Sequence, residues 1–183
     1  YGLVGTKNAT YTADGPISYW NAYVAVTQMH GHGTFVDKRI GIDIEQTPDD
    51  VVSKLPSLRA YQHSIAAPAP PAGSFVAAAA ERGRKIFDSS CASCHTNGSG
   101  TDNNTDNVLH AAAETGMNDA YAARTATKKY RTTPLRALWQ HAPYFHDGSA
   151  ATLDAVVAHY DAARKLGLTA AQKHDLVEYL KSL

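Results

Sequence analysis

The chain has 183 residues, of which 44% are hydrophobic, enough to bury the core of one domain or of one domain with an extension. Seventeen Lys and Arg balance seventeen Asp and Glu, so no charge excess points to nucleic acid or to an anionic membrane surface. No apolar run approaches the ~20 residues of a membrane span, and no charged-then-apolar leader opens the chain.

Asn8-Ala9-Thr10 has the form of a glycosylation sequon, as do Asn97-Gly98-Ser99 and Asn103-Asn104-Thr105, and all three are read as polar loop. Pro16 suits the start of a helix carrying Ile17, Trp20, Tyr23 and Val24, which Gly31, His32 and Gly33 end. His30 and His32 flank Gly31, but two histidines without a third ligand read as a polar loop and not as a metal site. An extended piece over Ile40–Ile44 follows, then a second helix from Val51 to Ile65, interrupted at Pro56. Residues 1–66 carry aromatics worth burying but are few for an independent core, so they are expected to form a cap. Ala67-Pro68-Ala69-Pro70-Pro71-Ala72-Gly73 cannot continue a helix; this linker, 67–73, separates the cap from the main unit, 74–183.

Ala77 to Phe87 is a run of strong helix formers in which Gly83, Phe87 and Cys91 fall on one stripe at i, i+4 and i+8. A glycine on that stripe lets another helix backbone come close. Directly after it, Cys91-Ala92-Ser93-Cys94-His95 spell C-x-x-C-H. Two thiols one short turn apart add to the two vinyl groups of one haem as thioethers, and the adjacent imidazole coordinates iron from one face. A disulfide across two residues is tight and gives His95 no role. Zinc would lack the rest of its tetrahedron, and a thioredoxin-type pair opens a helix, whereas this one follows a helix. The two cysteines of the chain allow one covalent haem. Phe87 is then expected against the ring. His95 is expected to donate its other ring N–H to a backbone carbonyl near Pro143. Haem is attached to this motif outside the bacterial cytoplasm, so a periplasmic or otherwise extracytoplasmic location is expected, with Tyr1 a processed or trimmed start.

Tyr130-Arg131-Thr132-Thr133-Pro134-Leu135-Arg136 leads into Ala142-Pro143-Tyr144-Phe145-His146-Asp147-Gly148-Ser149. Pro134 and Pro143 fix the backbone where it must turn close to a flat ring, and Arg136 can pair a buried propionate in a bidentate way. Asp147-Gly148 makes a turn, and His146 just before it can hydrogen-bond a propionate or stand on an electron path. Thr152 caps a helix held to the core by Leu153, Val156 and Val157, which leaves His159 and Tyr160 towards its C-terminal end. Thr169-Ala170-Ala171-Gln172 has the spacing of a capping box, and Leu176, Tyr179, Leu180 and Leu183 form the apolar face of a terminal helix.

The Gly83/Phe87 helix, the C-x-x-C-H motif and the Leu/Tyr terminal helix resemble class I cytochrome c, whose first and last helices cross at that glycine. The succession T-P-x-L-R, A-P-Y-x-H-D-G-S and T-L-x-x-V-V-x-H-Y resembles the C-terminal haem domain of the bacterial di-haem cytochrome c peroxidases and MauG-type enzymes, over roughly Ala66 to Leu183. The resemblance implies an all-α fold, with class I cytochrome c-like helices around one covalent haem c and a small N-terminal helical cap. It places the sixth iron ligand at Tyr160, a position that is methionine in the peroxidases and tyrosine in MauG-type proteins. Met117 competes, because Met29 and Met117 are the only methionines and a mono-haem carrier usually pairs His with Met. His110, His141 and His159 are further imidazole candidates. A phenolate ligand would favour ferric iron and a low potential, a thioether the reverse.

Di-haem peroxidases place a second C-x-x-C-H, and the peroxide-binding haem, in an N-terminal domain. This chain has no second motif; Pro16 to His32 echoes Pro134 to His146 and reads as a remnant of such a domain. The expected function is electron transfer with a redox protein partner or within a multi-haem complex. The alternatives are a peroxidase-like haem enzyme, with His110 or His146 as acid/base group, and the electron-relay fragment of a larger di-haem oxidoreductase.

Overall fold

In the computed structural model, which describes residues 3–96, 100–104 and 106–183, Pro16 occupies the N-cap of helix α1 (Ile17–Tyr23), where a missing N–H costs nothing. The helix runs on into one π-helical turn, Val24–Gln28, and the Gly31 N–H then closes on the Ala25 carbonyl at 2.8 Å. Strand β1 (Phe35–Asp37) pairs antiparallel with β2 (Ile42–Ile44), with Phe35 opposite Ile44. The cap is therefore not purely helical: the expected extended piece finds its partner in the residues just before it. Val52–Lys54 form a 3₁₀ turn and helix α2 (Leu55–Ser64) follows. Pro56 lies in the first turn of α2 and so starts the helix instead of interrupting it, because a first-turn N–H has no carbonyl to meet. Ala22, Val26 and Phe35 form a small core, on which Tyr19, Tyr23, Ile42 and Ile44 pack.

The described residues before α1 form no helix or strand, yet they are knit into the C-terminal part. Lys7 N–H donates to the Asn103 carbonyl at 2.7 Å, and Arg131 N–H donates to the Tyr11 carbonyl at 2.8 Å. Asn8 N–H reaches Asn103 Oδ1 at 3.2 Å, and Thr127 Oγ1 donates to the Thr12 carbonyl at 2.7 Å. Asn8 and Asn103 are both buried, in keeping with the reading of these sequons as polar loop. Asn97-Gly98-Ser99 and Thr105 lie outside the described residues.

Helix α3 (Ala77–Ser90) buries Ala79, Ala80, Gly83 and Phe87, the stripe that the sequence marks. After the short α4 (Ala112–Thr115) and 3₁₀ turns at Ala122–Arg124 and Leu138–Gln140 come α5 (Leu153–Arg164) and α6 (Ala170–Lys181). Both caps expected for these last helices form. Thr152 Oγ1 accepts the Ala155 N–H at 3.2 Å; Thr169 Oγ1 accepts the Gln172 N–H at 3.3 Å, while Gln172 Oε1 accepts the Thr169 N–H at 2.9 Å. The α3 and α6 helices cross at Gly83, where a Cβ would stand 2.0 Å from the Asp175 carbonyl oxygen. Arg82 clamps the crossing with two bonds to the Asp175 carboxylate, at 2.7 and 2.6 Å. Phe87, Leu153, Val157, Leu176, Val177 and Leu180 form the core beneath. The echo between Pro16–His32 and Pro134–His146 does not extend to structure, since the first is a helix with a π turn and the second is extended with one 3₁₀ turn.

Candidate haem site

The C-x-x-C-H motif folds back at the C-terminus of α3. Cys91 N–H still bonds the Phe87 carbonyl at 2.8 Å, then Cys94 and His95 N–H both turn to the Cys91 carbonyl, at 3.2 and 3.0 Å. This tight turn sets the two free, half-buried thiols and the imidazole on the wall of a single cavity of about 400 Å³. Phe87, Met117, Arg136, Pro143, His146 and Tyr160 line the same cavity, as do His110 and His141. Every residue expected at the site is thus brought together, from α3, α5 and the loops between them. His159 is the exception among the ligand candidates: its Nε2 bonds the Thr115 carbonyl at 2.8 Å, and it is not part of the cavity wall.

The His95 Nδ1 bonds the Gly100 carbonyl at 3.0 Å, which corrects the expectation of an acceptor near Pro143. The chain after His95 turns at once, with Gly100 N–H on the Thr96 carbonyl at 2.8 Å. It brings its own carbonyl under the ring. Gly100 does this at φ +70°, with Leu135 N only 3.0 Å from where a Cβ would stand, so the position demands glycine. With Nδ1 as donor, the Nε2 lone pair is left for a metal. Burial holds the His95 pKa below its ordinary value, although the Gly100 carbonyl, the Asp102 carboxylate and the Thr133 carbonyl pull the other way. The neutral imidazole that results is the ligating form.

Tyr160 turns its ring toward Phe145, edge-on at 5.9 Å between centroids, and its hydroxyl has no hydrogen-bond partner among the described residues. Burial, with the nearby Cys91 and Cys94 thiols, pushes its pKa up to about 12. Burial likewise pushes the Cys91 thiol up to about 11, so both side chains by themselves are neutral at pH ~7. Met117 follows Gly116, which ends α4 in the left-handed region at φ +69°, and it packs on Ala112, Ala122 and Tyr130.

Two further polar clusters belong to the wall. His110 stands between carboxylates, Nε2 at 2.8 Å from Asp102 Oδ2 and Nδ1 at 3.0 Å from Glu114 Oε2. Burial alone would lower its pKa, but the two carboxylates overcome that and raise it. Cys94, Asp102 and His110 offer ligand atoms within 4.8 Å of one another, but a thioether at Cys94 removes the thiolate from that group. The second cluster is Arg131, a buried guanidinium whose Nε donates to the Thr10 carbonyl at 2.8 Å and whose NH2 donates to the Ala9 carbonyl at 3.2 Å. Arg131 and Tyr11 both line the cavity, and sequence reasoning missed both. Arg131 sits inside the motif that the sequence singles out, but nothing local marks it as buried; Tyr11 arrives from the far end of the chain.

The wall fits a c-type haem. Leu135, Leu138, Val156, Leu166, Leu176 and Leu180 supply apolar surface for a flat macrocycle, and Arg131, Arg136 and Arg164 supply cations for its two carboxylates. The size falls within the roughly 300–1,000 Å³ of cofactor pockets. A helical frame crossed at a glycine, with paired thiols and a neutral histidine on one apolar cavity, defines a protein of covalent haem.

The family model for cytochrome c matches residues 80–183, and the chain belongs to the cytochrome c family. Its family cofactor is haem c, held covalently and carrying iron. Part of the chain is also similar in sequence to a cytochrome-c peroxidase, and the fold is similar to that of a MauG-like protein. A cytochrome-c peroxidase, IdrP1 of Denitromonas iodatirespirans, is 39% identical over 66 residues, which cover 30% of this chain and 18% of that one. The chain thus spans less than a fifth of the curated relative it matches. A MauG-like protein associated with microbial copper homeostasis shares the fold at a TM-score of 0.62 and 19% identity, over 98% of this chain and 70% of that one. The hydrazine synthase of Kuenenia stuttgartiensis matches at a TM-score of 0.50 and 23% identity, over 77% and 57% of the two chains. No helix among the described residues is long and apolar enough to cross a membrane.

Proposed function

We propose that the chain is an extracytoplasmic electron-transfer cytochrome in which Cys91 and Cys94 would hold one haem c and His95 and Tyr160 would ligate its iron. The observation that carries this reading is the C-x-x-C-H turn on the wall of an apolar cavity, with the adjacent imidazole already oriented by the Gly100 carbonyl. Each thiol adds its S–H across one vinyl C=C, so the attachment balances without an oxidant. Bound haem c supplies a one-electron iron couple; burial and ligand choice by the chain set its potential.

The chain's own residues divide the remaining work. Gly100 fixes the His95 ring and raises its basicity. Phe87, Leu176 and Leu180 would keep water from the ring, and Arg136 and His146, on the same wall, would pair with the propionates. Tyr160 brings an unpartnered hydroxyl to the wall, and it would lose its proton where the charge of a bound metal ion stabilised the phenolate. Denatured protein should retain one haem's mass and absorbance, and Cys91→Ala with Cys94→Ala should abolish both. Haem extractable by acidified ketone from the intact chain refutes the attachment. Tyr160→Phe should remove the ferric tyrosinate spectrum and open the iron to cyanide; the same change on Met117→Ala, with Tyr160→Phe silent, would make the protein a His/Met carrier.

Kinship with a peroxidase favours a second reading, a peroxidase-like haem enzyme or the relay fragment of a larger di-haem oxidoreductase. Both nitrogens of His110 are engaged by carboxylates, which leaves it no ring nitrogen for an acid/base role, whereas His146 is engaged at Nε2 alone, by the Tyr130 hydroxyl. Slow peroxide turnover in stopped flow is expected of the single chain, and fast substrate-coupled turnover would favour the enzyme. The partner on either reading is a redox protein or a multi-haem complex.

A further inference from the structure

Three aromatic rings connect the cavity wall to solvent. Tyr130 and His146 both line the cavity, and their rings stack with centroids 4.5 Å apart and planes 30° apart. On the His146 ring lies Tyr121, 6.2 Å away at 26°. Tyr130 is 7% exposed and Tyr121 43%, so the stack runs from the interior to the surface. The Tyr130 hydroxyl pins it: it donates to the Asn118 carbonyl at 2.8 Å, accepts the Ala122 N–H at 3.1 Å, and meets His146 Nε2 at 3.1 Å. With its single proton given to Asn118, the hydroxyl takes the His146 contact as acceptor.

The surface around the outer ring is basic. The Arg124 guanidinium lies over the Tyr121 ring at 5.7 Å, and Arg124, Lys128 and Lys129 are exposed. Asp119 is the one acid in the segment 119–129, and Glu114 interacts with Lys129. A local positive excess remains in a chain whose formal net charge is +0.

We propose that Tyr121 marks the docking surface for the electron donor, a redox protein that seats an acidic face over Arg124 and Lys128, and that one electron crosses from it through the Tyr121, His146 and Tyr130 rings to the haem. This inference rests on the haem reading above. The transfer is tunnelling through packed rings: the donor is oxidised by one electron, ferric iron is reduced to ferrous, and no bond or proton changes place. The rings serve by contact, so the phenol hydroxyl of Tyr121 is dispensable and its ring is not. Attraction between opposite charges speeds encounter and makes the rate fall with salt.

The test uses haem-loaded protein with Ala123→Cys, an exposed position beside Tyr121, labelled with a ruthenium tris-bipyridine. Cys91 and Cys94 are consumed as thioethers, so one label per chain is expected; labelling of three thiols would sink the haem reading itself. After a flash, transfer from the excited ruthenium to ferric iron is followed by transient absorption. Tyr121→Phe should keep the rate and Tyr121→Ala should lower it several-fold, with the reduction potential unchanged in both. In unlabelled protein, reduction by the anionic reductant dithionite should slow several-fold and lose its salt dependence on Arg124→Glu with Lys128→Glu, while reduction by the methyl viologen radical cation holds or rises. A Tyr121→Ala rate equal to wild type, or a salt dependence that survives the charge reversal, overturns the proposal.

Discussion

Gly83→Ala tests the crossing on which the whole haem unit is hung. A methyl at residue 83 would lie 2.0 Å from the Asp175 carbonyl oxygen, 2.5 Å from its carbon and 2.9 Å from Tyr179 Cβ. Ordinary contact begins at 3.4 Å, and two of these three neighbours are backbone atoms, which cannot swing aside. The α3 and α6 helices must therefore separate, which loosens Phe87 against Tyr179 and Leu176. Overpacking of this kind costs about 3 kcal/mol, and the better helix propensity of alanine returns about 1 kcal/mol. The net loss is about 2 kcal/mol, which for a chain of this length lowers Tm by about 4–8 °C. Scanning calorimetry of the haem-loaded protein reads it directly. Lys85→Ala on the exposed side of the same helix is the control, with a change within about 0.5 kcal/mol. A Tm at or above wild type for Gly83→Ala refutes the close crossing.

Three other perturbations follow from the geometry. Arg82 holds the Asp175 carboxyl below the ordinary range; a depressed carboxylate adds stability above its unfolded value, ~3.9, and loses it as pH falls through the native value. Asp175→Asn should therefore lower the urea midpoint at pH ~7 and flatten its decline in acid below pH ~4. The His110 pKa is raised against the pull of burial by Glu114 and Asp102, so its contribution is complete below ~6.5 and is lost as pH rises through the native value. In His110→Gln the alkaline limb of the stability profile should be flatter, and an unchanged limb would show that the carboxylates are not the cause. Asn103→Ala strips a fully buried side chain that accepts from Asn8 and donates to Asn107 Oδ1 and the Val108 carbonyl, at 3.0 and 3.2 Å. Unsatisfied buried partners cost roughly 1–3 kcal/mol, and hydrogen exchange should rise first at the Lys7 and Asn8 amides.

What was legible in the sequence is what a short stretch of chain decides by itself. The two thiols and the imidazole are bound to share a turn because a few residues separate them, and Gly83, Phe87 and Cys91 share a face because a helix makes them. The caps at Thr152 and Thr169 are equally local, each closing within three residues. Pro56 was misread within the same local frame, since a proline ends one helix or begins another depending on where the first turn lies. The acceptor for His95 was misplaced because any carbonyl under the ring would serve, and the choice depends on how the chain folds after the motif. Arg131 was invisible for a different reason. Its acceptors are the carbonyls of Ala9, Thr10 and Thr132, and carbonyls carry no sequence signature.

Those carbonyls also show where the molecule's energetic boundary lies. A buried guanidinium satisfied only by neutral acceptors is costly, because desolvation of the cation is not repaid by an opposite charge; burial accordingly lowers the Arg131 pKa. The cost is borne at the cavity wall, where an anionic group bound in the cavity would offset it. Two of the three carbonyls that hold the guanidinium, those of Ala9 and Thr10, belong to the N-terminal segment, whose Tyr11 ring lies 5.8 Å from it and lines the same wall. Residues before α1 are therefore part of the haem unit in packing, although in sequence they stand farthest from it. The hairpin and helices between Ile17 and Ser64 have their own small core, and the chain passes from wall to cap to wall. A division of the chain at the proline-rich stretch separates segments that the Asn8–Asn103 and Arg131–Thr10 bonds hold together. Removing the Asn103 side chain should then loosen the N-terminal segment before it disturbs the core of the cap, an order of events that residue-resolved exchange distinguishes.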